Sequence, residues 1–562
     1  MFHRSVRGTA LAFVLVIGLG VASIPAAPLA VDSPEALARA NDYGEGRHAA
    51  LVDWLADGSL LLLTRFGSAE QLHRVTQPLG MREQLTFGQE PVQGAVAHPA
   101  DADRVIVLQG RPGERHPSLQ LRSLSQGTLR RFGDGRLRQS LPLWAHDGRR
   151  IAFAAEPPEG GQAEIYLADA TTDRATPEAP KHLAAVEGQD LAVLDWSYDD
   201  TRLLLRGRVS AGEAHLYVAD VRTGALTQLV PAPVVRKPPV RKRLRGRFAA
   251  APPVPEAPPK PVALGDARFS RDGRGVYFVS TQDAEFAGLH YIDLFTRQGR
   301  SLAPQDHADI DGMRLSPDGR HIAYTLNEGG YSRLVLHDLT QRTDLLLPPL
   351  PAGSLIRQLR FDADGKRLAL TVDSATSPSD IYVLSLGEPP TIARWTRSEL
   401  GPVDAASLVA PQAFGFATWD RIGTVFRQIP AFIHRPREPG PHPVLIDLHA
   451  GLAAPFRPGW DPATQFAVNE LGYAVIAPDL RGTPGHGQDF IALGQGALRD
   501  DALRDIGALL VWIGLQTDLD RNRVMLRADS AGSTLGRAAL AMYSDRLLPW
   551  NGPLVPGRPA AR

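Results

Sequence analysis

The chain contains no cysteine. That excludes disulfides, thiolate-bound metal and a cysteine nucleophile. It leaves the compartment open, because large domains do not need disulfides. Net charge is absent as well: 61 Lys+Arg stand against 61 Asp+Glu. A global electrostatic pull toward nucleic acid or an anionic membrane is therefore not expected. Beyond the N-terminus no stretch reads as transmembrane. What is there is ordinary globular composition, 43% hydrophobic and 22% charged over 562 residues. That suffices for roughly two to four domains with sizeable cores.

The first residues have the order of a secretory leader. Arg4 and Arg7 precede an apolar run from Thr9 to Val21, and Ala22, Ser23, Ala26 and Ala27 follow. The run is too short and too interrupted by glycine to span a membrane comfortably. We read 1–30 as a signal peptide cleaved within Ala26–Ala30, and the mature protein as periplasmic or extracellular, with no membrane association.

One pattern then recurs: an apolar or aromatic residue, a polar step, Asp-Gly, and an apolar run. It stands at Trp54–Asp57–Gly58, Trp144–Asp147–Gly148, Phe269–Asp272–Gly273, Leu315–Asp318–Gly319 and Phe361–Asp364–Gly365. Weaker copies lie at His98–Asp101 and Trp196–Asp199–Asp200. The leading aspartates are spaced by 44, 46, 52, 73, 46 and 46 residues. A period near 45 with several strands per unit is the signature of propeller blades. Glycine accepts the positive φ of the tight turn. Seven copies predict a seven-bladed, four-stranded β-propeller over 45–400. The long interval holds Pro231–Pro261, basic at Arg236–Arg247 and then rich in Pro and Ala. Such a stretch cannot bury a core, and 231–261 is expected to be a disordered loop. It lacks the aromatic interleaving of a nucleic-acid surface.

From Gln412 the texture changes. Val444–Leu448, Tyr473–Pro478 and Val524–Leu526 read as buried strands, and Leu503–Gly514 and Leu535–Tyr543 as helices. Strands alternating with helices predict a parallel sheet covered on both faces. Between the strand at 524–526 and the helix at 535 stands Ala528-Asp529-Ser530-Ala531-Gly532. Strand, sharp turn and helix form the setting of a nucleophile elbow, which lifts a serine hydroxyl above the sheet edge. The amide of Ala531 then faces a developing oxyanion.

The order of motifs resembles the prolyl oligopeptidase family. The residues that carry it are His449-Ala450-Gly451-Leu452, Gly472-Tyr473-Ala474-Val475 continuing to Arg481-Gly482-Thr483-Pro484-Gly485-His486-Gly487, Asp520-Arg521-Asn522-Arg523-Val524, and the Ser530 elbow. The resemblance implies an all-β seven-bladed propeller followed by an α/β-hydrolase domain over 412–562, and a serine-type peptidase acting on short peptides. It implies Ser530 as nucleophile, oxyanion amides at Ala531 and Gly451, and His449 as a further oxyanion donor or a buried structural histidine. It implies no cofactor and no metal; the partners are peptide substrates and not nucleic acid.

The chain departs from that pattern at its C-terminal end. In this fold the acid and base follow the serine, yet 531–562 contain no histidine, and Asp545 is the one acidic residue there. Without a base the serine hydroxyl is a poor nucleophile. The sequence therefore predicts a hydrolase domain incomplete through truncation or frameshift, inactive in this chain, with the strand at 524–526 left without its next neighbour. A non-catalytic propeller binding protein with a degenerate hydrolase remnant, or a carboxylesterase, are the alternative readings.

Overall fold

The computed structural model describes residues 33–555, apart from 111–115, 134, 158, 172–178, 211, 232–260, 283, 304, 306, 450–451, 499, 529–531 and 554. The expected signal peptide and nearly all of the 231–261 loop lie outside the described residues.

Seven antiparallel sheets follow one another along the chain, over 50–84, 92–132, 138–184, 190–230, 264–303, 310–344 and 355–394. Each is a meander of consecutive strands, and the first strands pack side by side around a central axis. The turns that the spacing picked out are where the pattern placed them. Gly58, Gly148, Gly273, Gly319 and Gly365 have φ of 82°, 68°, 69°, 74° and 69°. In the fourth blade Asp200 takes the same role at φ 54°. Its carboxylate accepts from the backbone N–H groups of His146 and Asp147 in the third blade, at 2.8 and 2.9 Å. Aspartate is among the few side chains that tolerate this region. Ser197, Ser270 and Ser316 donate to Asp199, Asp272 and Asp318 at 2.6, 2.6 and 2.5 Å, which stiffens three of the turns.

The third blade corrects the four-strand expectation. Its first strand is split into Arg138–Gln139 and Leu143–Trp144, so the sheet has five strands. Pro142 falls in the gap and has no N–H to give the ladder.

Neighbouring blades are stapled near the axis. Asp53, Asp195 and Asp266 accept from the backbone N–H of Ala97, Phe269 and Met313 in the following blade, at 3.2, 2.8 and 3.0 Å. The ring closes by packing rather than by a shared strand. Leu51, Trp54 and Leu60 of the first blade bury against Ala369, Ile381 and Val383 of the last, and the Leu51 N–H donates to Thr371 Oγ1 at 2.8 Å.

The hydrolase domain is built on six strands: β1 Gln412–Ile422, β2 Val425–His434, β3 His442–Asp447, β4 Ala474–Pro478, β5 Leu519–Arg527 and β6 Leu548–Pro549. Their order in the sheet is β1-β2-β4-β3-β5-β6. β1, β2 and β4 pair antiparallel; β4, β3, β5 and β6 run parallel. β4 is buried along its whole length, as a strand covered on both faces must be.

The described residues include five α-helices: α1 Pro34–Gly44, α2 Pro462–Asn469, α3 Gln488–Ala492, α4 Asp501–Gly514 and α5 Ser533–Met542. α4 buries Leu503, Ile506, Leu509, Leu510 and Ile513 on one face of the sheet. α1 and α2 cover the other, where Ala36, Ala40 and Tyr43 pack with Phe466 and Val468. α1 was not foreseen from the sequence. It is capped by Ser33, whose Oγ accepts from the Ala36 N–H at 3.0 Å, with Pro34 in its first turn.

β6 corrects the expectation for the end of the sheet. Leu548 and Pro549 pair with Met525 and Leu526 of β5, and the Trp550 N–H donates to Leu526 O at 2.8 Å. Two residues are too few to show an alternation, so no strand pattern was visible there.

The two domains meet at the end of the propeller away from the Asp-Gly turns. Arg457 donates to Gly330 O at 2.6 Å and to Ser332 Oγ at 2.8 Å, and it pairs with Asp311. The Trp460 N–H donates to Asp373 at 3.1 Å. The Gln488 N–H donates to Glu285 O at 3.0 Å.

Candidate active site

The C-terminal ends of β4, β3 and β5 lie side by side at one edge of the sheet. This is the edge at which an α/β sheet presents its chemistry. Ser530 falls in sequence between β5 and α5. Asp529, Ser530 and Ala531 lie outside the described residues, as do Ala450 and Gly451, so of the four site residues only His449 has described surroundings.

What surrounds that segment is well defined. A Cβ on Gly536, in the second turn of α5, would stand 2.8 Å from the Ala528 Cβ. The strand and the helix therefore approach as closely as an elbow demands. Ala528 is tolerated because Gly536 makes room for it. Sequence reasoning sought smallness within two residues of the serine and missed this one, six residues on.

Beneath that segment lies a buried ionic cluster that the sequence did not reveal. Arg527, the last residue of β5, donates to Asp447 at 2.5 Å, Thr464 at 3.0 Å and Asp461 at 3.3 Å. Burial works against its charge, but Asp447 and Asp461 outweigh it and raise the guanidinium pKa above its ordinary value. His434 is buried nearby; desolvation, only partly offset by Asp461 and Asp447, lowers its pKa to about 4, so the ring is neutral at pH 7.

His449 stands in the turn after β3. Its N–H donates to Asp447 Oδ1 at 3.2 Å, so the β3 turn and the β5 end share one carboxylate. Its ring lies 3.2 Å through Nε2 from the Ala454 carbonyl and 3.5 Å through Nδ1 from that of Asp447. The ring edge packs on Phe456. These contacts fasten the turn to the 454–456 segment.

His486, in the glycine-rich turn after β4, has Nε2 2.8 Å from Asp479 Oδ2. The other oxygen of that carboxylate accepts from the Phe456 N–H at 2.7 Å. An imidazole–carboxylate pair thus exists at this edge of the sheet, two strands from β5. Arg481 holds the same turn in place. It is buried and donates to Asp505 of α4 at 2.6 and 2.8 Å and to Asp420 of β1 at 2.9 Å. The turn then crosses itself closely: a Cβ on Gly482, where φ is 95°, would come within 2.7 Å of the Gly494 Cα. Asp545 is exposed and lies 3.7 Å from Arg546. No cluster of metal-ligating side chains occurs among the described residues.

Comparison with known proteins places this arrangement. The prolyl oligopeptidase family matches residues 460–547, which include the elbow. No curated protein matches the chain. Solved structures match over nearly its whole length. One comes from a study of two prolyl endopeptidases, with 14% identity and a TM-score of 0.71, covering 90% of this chain and 72% of that one. Another is prolyl oligopeptidase B from Galerina marginata bound to a 25mer macrocyclization substrate, with 15% identity, the same TM-score of 0.71 and the same coverage of 90% and 72%. A further structure of that enzyme, with a 35mer hydrolysis and macrocyclization substrate, covers 71% of its own length at 14% identity.

Proposed function

The chain belongs to the prolyl oligopeptidase family of serine peptidases through its 460–547 segment, within a propeller–hydrolase fold that spans 90% of it, and from this premise we propose that Ser530 is the nucleophile of a peptidase acting on short peptides. The observation that carries the reading is the close approach of β5 and α5 at Ala528 and Gly536, on either side of the segment that holds Ser530. In that reaction the Ser530 hydroxyl attacks the peptide carbonyl and an acyl-serine forms as the amine leaves. The amides of Ala531 and Gly451 stabilise the tetrahedral oxyanion. The propeller stands at the domain interface and admits peptides small enough to pass.

A base must take the serine proton and return it to the leaving amine. His449 and His486 are already engaged, the first by backbone carbonyls and the second by Asp479. Their engagement supports a second reading, in which the protein binds peptides in the propeller without turning them over. The hydrolase chemistry of a carboxylesterase would use the same elbow; the propeller favours peptides.

Labelling with a fluorophosphonate separates the readings. Under the first, the chain is labelled, Ser530→Ala is not, and aminoacyl or dipeptidyl anilides are hydrolysed in a Ser530-dependent way. Under the second, turnover equals that of Ser530→Ala. Labelling of Ser530→Ala at the wild-type rate would remove Ser530 from the site altogether. Export to the periplasm or beyond is part of the same proposal and rests on the leader-like order of residues 4–27. No helix among the described residues is long and apolar enough to cross a membrane.

A further inference from the structure

The first strands of the blades enclose a cavity of about 490 Å³ on the propeller axis, to which all seven blades contribute. Ala56, Pro99, Pro317 and Ala363 line it, and each lies beside one of the turns between first and second strands. The hydrolase domain docks at the opposite end, through Arg457 and Trp460. The cavity is thus a feature separate from the Ser530 edge.

Its wall is divided by chemistry. The fifth, sixth and seventh blades supply Arg268, Arg314 and Arg360. The facing arc, from the second to the fourth blade, is apolar apart from His98, with Leu143, Trp144 and Leu194. The carboxylates nearby are largely committed. Asp53, Asp195 and Asp266 each accept from the backbone N–H of the next blade. Of the three, Asp266 alone lies within ion-pair distance of the cavity arginines among the described residues, at 2.8 Å from Arg314 and 3.8 Å from Arg268. Arg360 spends one nitrogen on the Leu359 carbonyl, at 3.2 Å. Arg314 Nε and Trp144 Nε1 are buried donors with no acceptor, an arrangement that costs free energy unless something fills it. Burial brings Arg314 down to about 10 despite Asp266, and it pushes Asp53 and Asp195 up. Asp53, Asp266 and Asp362 line the cavity beside the three arginines, and Asp362 is engaged by Arg367 at 2.8 Å.

We propose that this end of the channel binds a peptide by its C-terminal carboxylate, with the arginine arc holding the carboxylate and the Trp144 side receiving the adjoining apolar side chain. Guanidinium forks match a carboxylate in two-pronged geometry. The volume is that of a small-ligand site. The proposal does not depend on the chemistry of Ser530, and testing it on Ser530→Ala keeps the two apart.

The probe is N-dansyl-Gly-Gly-Pro-Leu-Phe with a free C-terminus, titrated against the full chain carrying Ser530→Ala and followed by anisotropy. Its C-terminal amide should bind at least about ten-fold more weakly, the scale of lost charge-assisted hydrogen bonds. Arg360→Gln should weaken the acid by a similar factor with its circular dichroism unchanged, since the hydrogen bond of that side chain among the described residues is to a backbone carbonyl. Arg360→Lys should fall between. Arg457→Gln, at the other end, should bind as the parent does. Equal affinity for acid and amide overturns the proposal without recourse to any variant, and so does a folded Arg360→Gln that binds normally. If succinate displaces the peptide at equal concentration, the pocket takes free small carboxylates and the peptide assignment fails.

Discussion

Arg527 and Asp447, eighty residues apart in sequence, join the ends of β5 and β3 through a 2.5 Å ion pair directly beneath the segment that holds Ser530. Removing the cation would take the closest counter-charge from the buried Asp447. Arg527→Met is therefore expected to cost about 3–5 kcal/mol, the scale for breaking one side of a buried pair. Urea unfolding followed by hydrolase-domain tryptophan fluorescence checks it. A loss under about 1 kcal/mol, the scale of an exposed pair, would show the cluster to be solvated.

Gly536 offers a test of sign. Glycine to alanine within a helix ordinarily stabilises by about 1 kcal/mol. Here the new Cβ would meet Ala528 at 2.8 Å, so Gly536→Ala should destabilise, by about 1–3 kcal/mol for overpacking. Adding Ala528→Gly should recover most of the loss. Thermal melts of the two single variants and the double close the cycle.

His434 makes the hydrolase domain acid-sensitive. Burial lowers its pKa from 6.5 to about 4. The unfolded chain therefore binds the proton first, and the stabilisation present above pH 6.5 is lost as pH falls toward 4. From pH 7 to 5 the contribution is about 2 kcal/mol. His434→Asn should flatten that part of the urea-midpoint profile; an unchanged slope would assign the acid sensitivity to other groups.

Expressed with its first thirty residues in a secreting host, the protein should be recovered outside the cytoplasm with an N-terminus near Val31. Terminal sequencing that finds Met1 on cytoplasmic protein would refute the export proposal. α1 begins just beyond that point and buries Ala36, Ala40 and Tyr43, so cleavage at Val31 leaves it whole.

The blades were legible because their turns require a residue that accepts positive φ, and Asp-Gly at a constant spacing advertises it. Where the turn is built on Asp200, the signal weakened but the spacing held. The strand break at Pro142 was visible only as a single proline. α1 went unread, since a short helix gives few periods to read. Around the site, the strand, turn and helix that flank Ser530 could be read locally. The pairs Arg527–Asp447 and Arg481–Asp505 could not, because each joins elements whose adjacency only the sheet order determines. His486 was seen in the sequence, but its partner Asp479 was not: seven residues of irregular turn fix no direction for either side chain.

Each blade keeps its own strands, and none is lent across the seam between the first and the last. The chain enters the propeller from α1 and leaves it into β1, and both belong to the hydrolase domain. The propeller is thus a collar whose two loose ends are buttoned to the same coat. The seam itself is held by the first blade's own grip on the last, through Leu51, Trp54 and Leu60, and the hydrolase domain adds a second hold by keeping both ends of the ring-forming chain in one core.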